Sequence, residues 1–314
     1  MQVHHYSKGL PHFNNTVLTI GTFDGVHVGH KKILKQLVEE ADRIGGESAI
    51  ITFHPHPRNV VRADSTILLI NTIEERISLL EQAGIDHVVI VPFTEEFSKQ
   101  TAEDYIEQFL MMQFHPHTII IGYDHRFGQG RKGDYKMLEA YAEKGAFRLM
   151  EIPEHIINNN TVSATAIRNA ILDGKVEAAN DLLGYTFFFS GTVIPGDRIG
   201  RTIGYPTANL QIDTATKIIP GNGIYAVTAQ LDNEPRIFKG MMSIGTRPTV
   251  NGRDRRTEVN LFDFDEDIYG RTLKVAVHAY LREELKFSGL EELKEKLGED
   301  KKASLEVFRE TENG

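Results

Sequence analysis

The period of the apolar residues changes near Gly184, and that change sets the architecture this chain can adopt. Upstream, β-like runs at 17–20, 48–52, 87–91, 118–121 and 147–152 alternate with helical patterns at 72–83, 101–112 and 136–144. Such alternation predicts a doubly wound parallel sheet with helices on both faces. Helical stretches at 165–172 and 176–183 close this half. Downstream, β-like runs at 187–193, 224–231, 236–244, 257–264 and 272–281 are separated by Gly, Pro, Asp and Asn, with no long helix before Gly289. Successive strands with turn signals predict an antiparallel β-barrel or sandwich. The charged tail, 290–311, reads as one or two helices. We therefore expect two unlike domains, 1–184 and 185–314, each long enough to bury a core of its own.

Composition narrows the partners. With 40% apolar and 25% charged residues, the chain has an ordinary globular balance. It shows no apolar run of membrane-spanning length and no signal peptide, so no membrane partner is expected. It contains no cysteine, which excludes disulfides, thiolate metal sites and cysteine nucleophiles and fits a cytoplasmic location. A net charge of −9 argues against nucleic acid as a partner, yet it leaves room for a locally positive nucleotide pocket. Oligomeric state is not legible.

The densest motif is Gly21-Thr22-Phe23-Asp24-Gly25-Val26-His27-Val28-Gly29-His30, which follows an apolar run and enters a helical pattern. A helix N-terminus offers free N–H groups and a positive dipole end, which suit a phosphate. Gly25 and Gly29 let backbone approach a ligand. His27 and His30 can donate hydrogen bonds to phosphoryl oxygens whose charge grows in a transition state. Thr52-Phe53-His54-Pro55-His56-Pro57-Arg58 follows the next strand and falls on the same rim of a parallel sheet; a Pro-stiffened loop with solvated histidines explains it too. Residues 121–134, IGYDHRFGQGRKGD, form a Gly-rich cationic loop that suits a wrapped anion or is simply mobile. VSATAIR, 162–168, opens a helix with Ser163 and Thr165 as capping residues and Arg168 a turn later, and so fits a phosphate or an ordinary cap. No third ligand accompanies His27/His30 or His115/His117 at a zinc spacing.

Together GTFDGVHVGH, TFHPHP, IGYDHRFGQGRKGD and VSATAIR resemble nucleotidyltransferases of the H-x-G-H superfamily. The resemblance is closest to the adenylyltransferase half of the prokaryotic bifunctional riboflavin kinase/FMN adenylyltransferases. It departs at Ala164, where a second serine is common. The resemblance implies that His27 and His30 are catalytic. It implies ATP and phosphate contacts from Gly21, Phe23, Asp24, Gly29, Ser163, Thr165 and Arg168. Flavin contacts would come from His56, Pro57, Asp124, Phe127 and Arg131.

In the second half, residues 191–209 carry Gly196, Gly200 and Gly204 and end in Gly204-Tyr205-Pro206-Thr207-Ala208-Asn209. This is neither a Walker A loop, since Asp197-Arg198 replaces Lys-Ser/Thr, nor G-x-G-x-x-G. It reads as a backbone cradle for a phosphate chain or as a glycine-rich hairpin. Thr207 and Asn209 offer neutral oxygens to a hard cation such as Mg²⁺. Glu258 shares strand parity with Asn260 and Phe262, so a general base is one reading. Asp263, Asp265 and Asp267 do not make a calcium loop, because Ile268 and Lys274 stand where Gly and Glu are needed.

Residues 196–209 (GxxxGxxxGYPTAN), Gly223-Ile224-Tyr225-Ala226, Met242–Thr249 and TEVNLFDFDEDIYG resemble the riboflavin kinase half of the same family. Ser243 and Asn260 depart from its frequent Asn and His. The resemblance implies Glu258 as catalytic base and Mg²⁺ at Thr207 and Asn209, with ATP as co-substrate. ATP would be held by Gly196, Gly200, Gly204, Pro206, Thr207 and Asn209, and flavin by Arg247 and Arg282. The implied partners are riboflavin, FMN and ATP. Alternatives are a flavin- or nucleotide-binding regulator without turnover and a related transferase with another phosphate acceptor.

Overall fold

The computed structural model describes residues 1–6, 9–61, 66–122, 125–152, 162–196, 199–249 and 252–312. They form two compact units, Met1–Ala164 and Thr165–Gly314.

In the first unit, β1 (Gln2–His5), β2 (Val17–Ile20), β3 (Ser48–His54), β4 (His87–Pro92), β5 (Thr118–Gly122) and β6 (Arg148–Ile152) form a parallel sheet in the order β1-β4-β3-β2-β5-β6. The doubly wound expectation holds. The middle strands read as unbroken apolar runs because helices cover both faces; all four residues of β2 are buried. The chain moves outward from β2 through β3 to β4 and then returns to the other side of β2. The order therefore reverses between β2 and β5, the place where such sheets bind ligands beyond their strand ends. The helix Val28–Ile44 leaves this point and buries Leu34, Leu37 and Ala41 along one stripe. It ends at Gly45 in the left-handed region, φ 61°. The helix Ile73–Gln82 starts with a reciprocal cap between Thr72 and Glu75. The helical stretch expected at 101–112 contains a π-helical segment, Tyr105–Met111, which helps seat Tyr105 and Phe109 in the aromatic core.

In the second unit, β7 (Phe188–Ile194), β8 (Ala208–Gln211), β9 (Gly223–Leu231), β10 (Ile237–Thr249), β11 (Gly252–Leu261) and β12 (Thr272–Arg282) close an antiparallel barrel in the order β10-β11-β8-β7-β12-β9. Leu273, Val275 and Val277 alternate inward along β12. One helix, Leu290–Glu312, forms the tail, and Phe308 packs it on Met241, Phe262 and Ala279.

The helices Ala164–Leu172 and Val176–Leu183 lie almost wholly in this unit. Asn180 Nδ2 donates to the Val277 carbonyl at 3.0 Å, and its Oδ1 accepts from the Phe187 amide at 2.7 Å. The Gly221 amide donates to the Ile171 carbonyl at 3.0 Å. The compact division thus precedes these helices, whereas the sequence places it after them.

Candidate active sites

In the first unit the candidate site is built on the turn between β2 and the helix Val28–Ile44. Gly21 continues the sheet, its amide bonding to the Ile51 carbonyl at 3.0 Å. The turn then takes left-handed φ values at Phe23 (46°), Gly25 (90°) and Val26 (37°). Such φ is costly for Phe and more so for β-branched Val. Asp24, buried, supports the turn: its carboxylate accepts from the Ile70 amide at 3.0 Å and the Asn71 amide at 3.1 Å.

His27 is the N-cap of the helix, its Nδ1 accepting from the His30 amide at 3.3 Å. The two imidazoles stack, 3.7 Å between centroids and 16° between planes, and Phe23 lies against His30 at 5.0 Å. Gly29 is buried in the first turn between them. Burial, then His27 and Arg76, hold His30 well below the ordinary histidine value. His30 is therefore neutral at pH 7, and stacking of this closeness suits rings that do not both carry a charge. A neutral imidazole still donates one hydrogen bond, so the pair can serve a phosphate without carrying a charge.

The other expected residues fall as follows. His56 is buried rather than solvated, and its Nδ1 accepts from the Arg58 amide at 3.1 Å. Pro57 is the first residue of the short helix Pro57–Val61. Phe127 lies in the core, stacked on Tyr105 at 5.1 Å, and its backbone pairs with Gly133. That pairing closes residues 127–133 into a short hydrogen-bonded segment. Arg131 is exposed with φ 59°. Asp124 lies outside the described residues. Ser163 and Thr165 are exposed at the start of a helix in which Arg168 is buried, and this stretch spans the division between the units.

Sequence reasoning missed Thr52 and Arg76 as supports of this site. Arg76 Nη1 donates to Thr52 Oγ1 at 3.1 Å, and Thr52 Oγ1 donates to the Thr22 carbonyl at 3.3 Å. The available signal was an arginine on the apolar stripe of a helix, in line with buried Leu79 and Leu80.

In the second unit the candidate site lies where β8 and β10 flank β11. Register sets Glu258 opposite Asn209 on β8 and opposite Ser243 on β10. Thr207, just before β8, donates its hydroxyl to Glu258 Oε2 at 3.3 Å. Asn260 Nδ2 donates to the Pro206 carbonyl at 2.7 Å and so holds the Tyr205–Thr207 segment in place. A side chain at Gly196 would overlap the Asn209 amide, and one at Gly200 would overlap the Tyr205 carbonyl. Gly204 adopts φ 86°. These glycines are thus required by close approach and turn geometry.

Beside them lies a cavity of about 450 Å³, lined among others by Gly200, Thr207, Ser243, Glu258, Asn260 and Arg282. Arg256, Glu258 and Asn260 share one strand face toward it, while Thr257, Val259 and Leu261 are buried on the other. The tail helix adds Leu293 and Leu297 to the lining. From the same helix, Asp300 takes Arg282 in a two-pronged ion pair at 2.8 and 2.6 Å. The Arg247 side chain and residues 197–198 lie outside the description.

Among the described residues no group of three or more His, Asp or Glu side chains is gathered as a metal site. Thr207 and Asn209 instead present neutral oxygens beside the Glu258 carboxylate, with Asn209 packed under Gly196. That donor set fits Mg²⁺, which takes few protein ligands and fills the rest with phosphate and water.

The comparisons match the two parts of the chain to two separate family models. Residues 10–166 match the family model described as FAD synthetase, and residues 183–308 match that described as riboflavin kinase. The bifunctional riboflavin kinase/FMN adenylyltransferase of Haemophilus influenzae is 34% identical, over 96% of this chain and 98% of its own. The protein of that name from Bacillus subtilis is 35% identical, over 93% and 92%. The chain belongs to the bifunctional riboflavin kinase/FMN adenylyltransferase family. A Streptococcus pneumoniae structure titled a macrolide-efflux protein superposes with a TM-score of 0.84 at 30% identity, over 94% of this chain and 95% of that one. Among the described residues no helix is long and apolar enough to cross a membrane.

Proposed function

We propose that the family's two reactions run in the two units, and that the residues just described carry them. The second unit converts riboflavin to FMN with ATP, and the first joins FMN to the AMP part of another ATP with release of pyrophosphate. The observation that carries the kinase assignment is the register that sets Glu258 opposite Asn209 with the Thr207 hydroxyl on its carboxylate.

In the kinase, Glu258 accepts the proton of the ribityl 5′-hydroxyl as that oxygen attacks the γ-phosphorus. The cavity holds the flavin, with Arg282 fixed by Asp300. Gly196, Gly200 and Gly204 let the phosphate-facing loop pack and turn closely against the Tyr205–Asn209 segment. Thr207 and Asn209 would hold Mg²⁺, which supplies charge neutralisation at the phosphates.

In the adenylyltransferase, an FMN phosphate oxygen attacks the α-phosphorus of ATP. That oxygen is already anionic at neutral pH, so no general base is needed. His27 and His30 donate hydrogen bonds where negative charge grows. Gly21, Gly29, Ser163, Thr165 and Arg168 are the nucleotide contacts in this reading; His56, Pro57, Asp124 and Arg131 are the flavin contacts. Phe23 and Asp24 shape the turn, and Phe127 holds the flavin-side loop on the core. The substrates are small molecules, the acidic chain argues against nucleic acid, and the lack of cysteine fits a cytoplasmic enzyme.

The test is to incubate the chain with riboflavin, ATP and Mg²⁺ and separate the flavins. FMN and then FAD are expected. Binding of flavin and nucleotide without either product would establish a regulator instead.

A further inference from the structure

Arg76 is almost fully buried on the apolar stripe of the helix Ile73–Gln82, where Leu79 and Leu80 are its buried companions. A leucine or methionine would fill that stripe without desolvating a charge. Its Nε finds no hydrogen-bond partner among the described residues, so the guanidinium is not there to complete a saturated network. What it does make is one bond, from Nη1 to Thr52 Oγ1 at 3.1 Å. Thr52 passes this on to the Thr22 carbonyl at 3.3 Å. Thr22 opens the turn in which Phe23 and Val26 hold left-handed φ values, and the turn ends on the stacked His27–His30 pair. A turn of that kind persists only where its surroundings over-determine it. Asp24 supplies one tether, to the Ile70 and Asn71 amides. Arg76 and Thr52 supply the second, from the opposite end.

We propose that Arg76 is a positioning residue for adenylyl transfer: through Thr52 it fixes the 22–26 turn and so sets the aim of the His27–His30 pair. This rests on the reading of those histidines as the phosphate-facing groups. Arg76 acts in a second way, through its charge. The groups acting on His30 are His27 from its own helix and Arg76 from the helix Ile73–Gln82; Asp24 and Glu74 in turn act on Arg76. A cation at this place adds to burial and His27 in keeping His30 neutral, and so keeps it stacked on His27 without the repulsion of a second cation.

The test measures FAD formation from FMN and ATP between about pH 5.5 and 8.5, the range in which histidine changes charge. Riboflavin phosphorylation by the same chains is the folding control. Thr52→Val keeps the shape and every charge but removes the relay. Its kcat should fall about 10- to 100-fold, as a misplaced reacting group does, with KM for both substrates within a few-fold and the acid limb unmoved. Arg76→Met should lose kcat similarly and move the acid limb to higher pH. Arg76→Lys restores the charge and should return the limb to its original place. If Thr52→Val keeps wild-type kcat, or if Arg76→Met leaves the acid limb where it was, the proposal is overturned. Should Arg76→Met fail to fold, Thr52→Val decides alone. His30→Gln separates the two claims. Wild-type FAD formation in that variant removes the histidine reading itself. Loss in it, with Thr52→Val unaffected, removes only the positioning role.

Discussion

Because Nδ1 of His27 accepts the His30 amide, a neutral His27 must carry its proton on Nε2, the atom away from the helix. The cap therefore selects the tautomer that can donate to a ligand. His30→Ala removes one of the two donors and should cut FAD formation by about 10²–10³. FMN formation in the same assay should stay near wild type; equal loss of both would indicate a folding defect. In the other unit, Glu258→Gln keeps size and reach but cannot take a proton. Phosphorylation of riboflavin should fall by about 10²–10⁴, while ATP binding and FAD synthesis from supplied FMN persist. A rate within a few-fold of wild type would reduce Glu258 to a strand residue. The residues behind both predictions were legible because their motifs are local: two histidines around a glycine, or a carboxylate in strand parity with Asn260. What was not legible depends on partners far along the chain. The turn with left-handed Val26 leans on the Asp24 carboxylate, whose Ile70 partner lies 46 positions further along the chain. Phe127 reads as a ligand-facing aromatic until the fold stacks it on Tyr105.

Among the elements, long apolar runs were read correctly and short polar ones were not. β1 is four residues at a sheet edge, mostly exposed, and it exists because β4 offers a free parallel edge. β8, Ala208–Gln211, has no β-like pattern of its own; pairing with β7 and β11 makes it a strand and so brings Thr207 and Asn209 to Glu258. The tail was expected as one or two helices, but its amphipathic pattern could not say what it covers. It lines the cavity beside Glu258 and anchors Arg282 through Asp300, which is almost fully buried. Removing one partner of such a buried pair costs about 3–5 kcal/mol. Asp300→Asn should therefore lower the unfolding temperature and raise KM for riboflavin in the kinase assay. FAD formation from FMN should keep its KM. An unchanged riboflavin KM would show that the tail helix only packs against the barrel.

Over the whole molecule, His4 and His30 in the first unit and His278 in the second have pKa values below the ordinary 6.5, with burial the leading cause in each. Below that value the unfolded chain takes up protons that the folded chain refuses. Stability is therefore full above about pH 6.5 and declines on acidification until each folded pKa is reached. The limiting slope for a fully buried histidine is about 1.4 kcal/mol per pH unit. Thermal unfolding should shift down between about pH 7.5 and 5.5, and His30→Gln should flatten that dependence; an unaltered slope in the variant would exclude His30 as its source. The two-unit division carries the last prediction. The helices before residue 185 are wired into the barrel: Asn180 bonds the Phe187 amide and the Val277 carbonyl, Glu177 accepts the Tyr280 amide at 3.1 Å, and Ile171 accepts the Gly221 amide. Cutting at 185 strands those groups, at about 1–3 kcal/mol for each that stays buried without a partner, against a total stability of about 5–15 kcal/mol. A fragment of residues 165–314 should fold and convert riboflavin to FMN. A fragment of residues 185–314 keeps Thr207, Asn209 and Glu258 and should make FMN while folded, but it should melt at a distinctly lower temperature. Equal melting would show that the helices are accessories to the barrel. A folded 165–314 fragment that makes no FMN would show that the kinase needs the first unit, whatever the motifs of the second suggest.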